Sequence, residues 1–346
     1  MKTVLDVVNP LEMNQSVIFG YYGGGNFGDE LLLEVLLDLC ENASVKDVKF
    51  VYRNREMYPI MHRTRDYQPL FGLRELIVAS IKSRTIVVGG GGHWGLDMNP
   101  SVLLMSVLLL VFRLVLRKKI YLLGVGFYNS TSRLGRISAW IAATASTQVV
   151  ARDEESYYNF MRFYPSKTHL DKDIVFYLPN LDLKKYDDSA QKIATELNIE
   201  EGINYTLVAF RRFQVKHSNQ FNYLVEQTVT DNPQQHFITM TLEPESVDPE
   251  GSERLRYIHA NNENTVVSDF HFNPLAFACF LEKNAKTIQM VAPQYHAQLI
   301  AHLVGIRHMP IVYDNKVEQL LIGFNISEVI PITLVTSDEI NNFVRI

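Results

Sequence analysis

Four glycines within six residues, Gly23, Gly24, Gly25 and Gly28, separate the apolar run Val17-Ile18-Phe19 from a leucine-rich segment beginning at Glu30, with Asn26 and Asp29 set among them. Glycine lets a ligand approach main-chain N–H groups without a Cβ in the way. A strand, a glycine turn and a helix N-terminus together make an anion site, because unpaired amides and the helix dipole point outward. A tight turn without a ligand is the competing reading. A second cluster, Gly89-Gly-Gly-Gly-His93, closes the run TIVV. Each of those glycines adds backbone entropy to be lost on folding, so close approach of a ligand or of another backbone explains them better than packing does. Gly24, Gly25, Asn26, Gly90, Gly91 and His93 are therefore the candidate loop residues. The carboxylates near these loops are Asp29, Asp97, Asp153 and Asp173. Asp29 can take a proton from a hydroxyl, or it can simply favour a helix start. Arg152-Asp153 reads either as part of a site or as a strand-end ion pair and cap.

The elements that must position these residues alternate. Strands are predicted at 17–21, 48–52, 85–88, 120–124 and 148–151, and helices at 29–40, 102–116, 134–145 and 153–163. That alternation predicts a parallel sheet covered on both faces. A polar stretch at 179–204 reads as a linker with some helical content. The pattern then resumes, with strands at 205–210, 236–241, 265–267, 287–291 and 310–312, and helices at 219–229, 252–260, 274–282, 296–304 and 316–321. The expected fold is α/β, two Rossmann-like domains (1–178 and 205–346) facing a cleft. Ligands of such sheets sit beyond the carboxyl ends of the strands. The glycine loop, Gly89–Gly92, Arg152, Arg211 and His296 all follow predicted strands.

Composition narrows the function. The chain has 346 residues, 47% apolar and 21% charged, with net charge −5, a globular profile that does not suggest a nucleic-acid partner. Cys40 and Cys279 lie in apolar helical context, as small buried hydrophobes of a reducing compartment do. No signal peptide is evident near the N-terminus. The run 102–116 is almost wholly apolar but is interrupted by Arg113 and is shorter than the roughly 20 residues of a span. A helix buried in an α/β core is the favoured reading, and a membrane-surface helix, with the basic tail Arg117-Lys118-Lys119, the alternative. The ten histidines lack ligand spacing, so no metal is expected. Walker A, HExxH and GxSxG patterns are absent, and GGGNFGDE lacks the G-x-G-x-x-G spacing of nicotinamide enzymes.

In order along the chain, GYYGGGNFGDELLL, VVGGGGHWGLD, LLGVGF, VVARDEES, DKDIVFYL, VAFRRF and YHAQLIAHLVGIRHMPIVYDNKV resemble the polysaccharide pyruvyl transferase family over about residues 16–322. The resemblance implies a GT-B-like architecture and transfer of a pyruvyl group from phosphoenolpyruvate to two hydroxyls of a sugar, as a ketal. It implies no cofactor, a glycan or lipid-linked oligosaccharide acceptor and a cytoplasmic location; attachment to the inner face of a membrane is an alternative that rests on the basic edge Arg113–Lys119. Such chemistry needs an acid to protonate the enol, basic clamps for the donor's anions and a base for the hydroxyl. On this resemblance His296 is the acid and Arg211 binds the donor; Asp29, beside the first loop, is the candidate base, and Lys316 reads either as a further donor-binding charge or as a surface residue.

One departure concerns Gln294. The family pattern S-x-R-L-H-A has an arginine two residues before the histidine, where this chain reads Ala292-Pro-Gln-Tyr-His296. A glutamine donates hydrogen bonds but carries no charge. Losing a charge-assisted clamp weakens binding by about 1.5–3 kcal/mol. Two further readings stay open: a GT-B-like glycosyltransferase with a nucleotide-sugar donor, and a non-catalytic glycan-binding subunit.

Overall fold

The computed structural model describes residues 2–62, 66–94, 100–128, 132–210, 218–326 and 328–345. The chain divides into two compact units. One comprises 1–24 and 29–181; the other comprises 182–346 together with Gly25–Gly28.

The first unit is built on a seven-stranded parallel sheet: β1 (Ser16–Phe19), β2 (Val48–Val51), β3 (Gln68–Leu70), β4 (Thr85–Gly89), β5 (Lys119–Val125), β6 (Gln148–Ala151) and β7 (Thr168–Leu170). Their spatial order is β3-β2-β1-β4-β5-β6-β7. The central strands are buried along their whole length, as expected of a parallel sheet covered on both faces. The edge strands β3 and β7 have only three residues each, too few for the alternation that reveals longer strands. Helices Leu73–Lys82, Pro100–Leu114 and Arg133–Ala145 cover one sheet face, and their inner residues Ala79, Leu109, Phe112, Ala139 and Ala142 join Val17, Val88 and Leu122 in one core.

The long apolar helix departs from its expected burial. It runs Pro100–Leu114 and buries only Ser106, Leu109 and Phe112, whereas Leu104, Val107, Val111 and Leu114 are exposed. A helix lying on a sheet can bury only one stripe, however apolar its other sides are.

The second unit carries β8 (Tyr205–Phe210), β9 (His236–Thr241), β10 (Thr265–Asp269), β11 (Ile288–Val291) and β12 (Arg307–His308), in the order β10-β9-β8-β11-β12 and all parallel. Residues 310–312, expected as a strand, do not extend this sheet. Pro310 has no N–H to give to a ladder, and Ile311 N donates back to Met309 O at 2.9 Å. Instead β13 (Ile311–Val312) pairs with β14 (Ile330–Pro331). Within 179–204 lie the end of a 3₁₀ segment, Ile174–Asn180, a second one, Leu183–Tyr186, and the helix Asp187–Glu196.

Candidate active site

In each sheet the chain reverses its direction of travel once, between β1 and β4 in the first unit and between β8 and β11 in the second. Loops leaving neighbouring strands diverge at such a point and open a crevice at the strands' carboxyl ends. The candidate residues collect at these two places.

In the first unit the diverging loops are the two glycine clusters. Gly90 and Gly91 have φ of +66° and +84°, conformations that L side chains rarely adopt. Gly90 N donates to Leu123 O at 2.7 Å and Gly126 N to Gly91 O at 2.9 Å, which stitches the loop to β5. The bare Cα of Gly91 faces two titratable groups: a Cβ there would lie 3.3 Å from His93 Nε2 and 3.7 Å from Asp29 Oδ1. Burial pushes the His93 imidazole down to about 4, a hydrogen bond to the Gly90 backbone opposes this, and the charges of Arg152 and Arg53 add to it. The ring is therefore neutral at ordinary pH. Its Nε2 is buried and has no hydrogen-bond partner among the described residues.

Arg152 is already committed. Nη1 donates to Asp173 Oδ2 at 3.1 Å, Nη2 to the Tyr128 hydroxyl, and Nε lies 3.5 Å from Asp153 Oδ2. Asp173 in turn accepts from Val175 N, and Asp153 caps the helix Glu154–Met161 through Ser156 N. These three residues form an ion network in which Arg152 and Asp173 are buried and Asp153 is partly exposed. Gly92 and Gly126 leave room for it: a Cβ on either would crowd the Tyr128 side chain at 2.9 Å. Asp97 lies outside the described residues.

The glycine turn after β1 has buried supports that the sequence reading missed. The Tyr22 hydroxyl donates to Gly89 O, joining the two loops, and burial raises its pKa well above the ordinary value. Gly23 N donates to Glu30 Oε1 at 2.8 Å; Glu30 Oε2 lies 3.1 Å from His62 Nε2, and His62 Nδ1 lies 2.7 Å from Glu34 Oε1. Burial disfavours the charged His62 ring, but the hydrogen bonds to Glu30 and Glu34 prevail and hold it up at about 8. The signal was available, since Glu30, Glu34 and Asp38 recur every four residues on a leucine-rich helix and all are fully buried. His62 gave none.

In the second unit the loop after β8 contains Arg211 and lies outside the described residues. The loop after β11 is Ala292-Pro-Gln294, and Gln294 is the N-cap of helix Tyr295–Leu303. His296 thus stands in the first turn of that helix, where backbone amides favour anions. The Gly25–Gly28 segment belongs to this unit because Phe27 N donates to Leu242 O at 3.0 Å and the Phe27 ring packs edge-on against Phe270 and Phe277. Gly28 carries the imidazole of His296 on its bare Cα: a Cβ there would overlap Nδ1 and stand 2.8 Å from Cγ. Gly28 N donates to Asn26 Oδ1 at 3.0 Å, and Asn26 Nδ2 reaches Glu243 Oε1 at 3.4 Å. Gly25, at φ +79°, lies against Pro244. Asn26 therefore shapes the turn that receives His296.

Gln294 uses its Nε2 to hold Phe210 O at 2.8 Å, tying the end of β8 to the loop after β11. Its Oε1 is buried without a hydrogen-bond partner among the described residues. Lys316 lies over the Tyr313 ring, 5.5 Å from Nζ to its centroid, with Nζ 4.0 Å from Asp314 Oδ2. The structure thus brings together His296, Gly28 and Asn26 in one unit, and Asp29, His93 and Gly91 in the other; the contacts of Lys316 are with its own turn.

The profile described as Polysaccharide pyruvyl transferase matches residues 26–315. No curated protein sequence matches the chain. Among solved structures, the fold is similar to UDP-GlcNAc 2-epimerase from Methanocaldococcus jannaschii, with a TM-score of 0.61 at 13% identity over 96% of this chain and 91% of that one. It is similar also to UDP-GlcNAc 2-epimerase from Neisseria meningitidis bound to UDP-GlcNAc, with a TM-score of 0.59 at 14% identity over 95% and 89%. The fold is the GT-B-like, two-unit Rossmann type.

Proposed function

The chain belongs to the polysaccharide pyruvyl transferase family, and from that premise we propose that it moves the pyruvyl group of phosphoenolpyruvate onto two hydroxyls of one sugar in a cell-surface polysaccharide or its precursor. The family's members are transferases acting on polysaccharide; the donor and the ketal are the proposal. In the balanced reaction, C3 of the enol gains a proton and becomes a methyl group while positive charge develops at C2. One hydroxyl adds to C2 and loses its proton. The C2–O bond then breaks, its electron pair leaves on phosphate, and the second hydroxyl closes the ring on the same carbon.

His296 supplies the proton to C3. The first-turn amides of its helix and the side chains of Arg211, Gln294 and Lys316 take the donor's phosphate and carboxylate. Asp29 and the neutral His93 receive the hydroxyl protons, beside glycines that let a sugar approach the backbone. The observation that supports this reading best is the lodging of His296 on the bare Cα of Gly28. An imidazole fixed at a helix N-terminus is suited both to proton delivery and to an anionic substrate.

The test is phosphate release from phosphoenolpyruvate across a panel of glycans bearing paired hydroxyls, with the product's mass checked for an added ketal. Release that requires a glycan supports the proposal. No release with any glycan, together with thermal stabilisation by UDP and none by phosphoenolpyruvate, overturns it in favour of a nucleotide-sugar donor.

A further inference from the structure

The first unit presents an apolar helical layer to solvent. Helices Leu73–Lys82, Pro100–Leu114 and Arg133–Ala145 share one face of the seven-stranded sheet, as their common core shows and as right-handed crossovers require. Each carries a second apolar stripe on its outer side. On the first it is Leu73, Val78 and Ile81. The central helix continues it with Leu104, Val107, Val111 and Leu114, the last 69% exposed. The third ends it with Leu134, Ile137 and Trp140, the last 47% exposed. Large residues at such spacing on neighbouring helices make a patch that needs an occupant.

The charge around this patch identifies the occupant. Residues 72–147 hold nine Lys or Arg against Glu75 and Asp97 alone, in a protein whose net charge is −5; of the nine, Lys119 is paired with Glu12 and Lys118 is held by the carbonyls of Ile81 and Ser83. The helices alternate apolar and basic positions at their ends, as at Arg113-Leu114-Val115 followed by Arg117, and at Arg133, Arg136 and Ile137. An in-plane helical face of this composition matches the headgroup–acyl boundary of a negatively charged bilayer. No helix among the described residues is long and apolar enough to cross a membrane.

We propose that the outer face of these three helices seats the first unit on an anionic lipid bilayer surface, with Leu104, Val107, Val111 and Trp140 entering the boundary and the arginines meeting lipid phosphates. This contact is independent of the chemistry proposed above.

The protein reports on it directly. It has two tryptophans, and Trp94 is buried while Trp140 lies in the proposed contact. Full-length protein is mixed with vesicles of phosphatidylglycerol and phosphatidylcholine, or of phosphatidylcholine alone. The expected result is co-sedimentation with the anionic vesicles only, a blue shift of tryptophan emission, and quenching by brominated lipid. The double variant Val107→Asp/Val111→Asp should lose at least tenfold in vesicle affinity with its circular dichroism and Tm retained. Tyr257→Asp, an exposed aromatic of the second unit, should bind as before. Failure to bind anionic vesicles, or equal binding to both kinds, overturns the proposal. A dimer that the double variant dissociates, without vesicle binding by either protein, assigns the face to a second copy of the chain and overturns it too.

Discussion

The two chain reversals occupy equivalent places in their sheets, yet they are furnished in opposite ways. Between β1 and β4 the loops are mostly glycine, and the charged side chains beneath them are tied together: Arg152 to Asp173 and Asp153, Glu30 and Glu34 to His62. Beside them lie Asp29 and one neutral imidazole, that of His93. Between β8 and β11 the turn after β11 has no glycine, and the side chain of His296 is set by a helix start and by a glycine brought from residue 28. Bare backbone adapts to a bulky, variable sugar, whereas a proton donor must be held still. On the function proposed above, the first would take the acceptor and the second the donor.

His296→Gln breaks the donor side outright and is expected to lower kcat by 10²–10⁴, the ordinary worth of a positioned acid, with Tm nearly unchanged. Gly28→Ala is expected to cost about 10² in kcat through a misplaced ring alone, because the new methyl group would occupy the space of His296 Nδ1. Gly28 has an ordinary φ and sits in a helix, so circular dichroism and Tm should hold. A fully active Gly28→Ala would show that His296 has no fixed position to lose.

On the other side, His93→Gln should reduce kcat roughly 10- to 100-fold if the neutral ring shares the base role. The wild-type rate should show no loss attributable to His93 until pH falls toward about 4, where Nε2 takes a proton. Unchanged kinetics in this variant would leave Asp29 alone as base. The support beneath the glycine turn is tested by stability. The folded pKa of His62 is raised from 6.5 to about 8, so its contribution is complete below pH 6.5 and is lost as pH rises through 8. That shift corresponds to about 2 kcal/mol, or roughly 3 °C in Tm. Tm of the wild type should fall over this window while that of His62→Gln stays flat and lower. The smallest effect is expected for Gln294→Arg: a KM for phosphoenolpyruvate about tenfold lower, as for one added charge-assisted contact. A higher KM would show that the amide tie to Phe210 O matters more than charge.

Much of this was legible beforehand where it depended on local period. The central strands and most of the helices declare themselves by runs and stripes of apolar residues, and the loops that bear Gly90, Gly91, Arg152 and His296 follow from where those strands end. Leu73–Lys82 and the three-residue edge strands escaped notice because they are short or flanked by mixed residues. Arg152 was legible in part: the ion pair with Asp153 and the helix cap that the sequence offers are both present, whereas its pairing with Asp173 depends on a residue 21 positions on.

By itself, then, the sequence determined the parallel α/β alternation, the family and the strand ends at which functional groups gather, since all three rest on patterns within a few dozen residues. Only the tertiary structure decided that Gly25–Gly28 packs with the second unit, that Glu30 and Glu34 share a buried histidine, and that the apolar helix Pro100–Leu114 buries one stripe and exposes another. Those outcomes depend on which distant surface meets each residue, and apolar period alone does not record which of two apolar faces finds a partner.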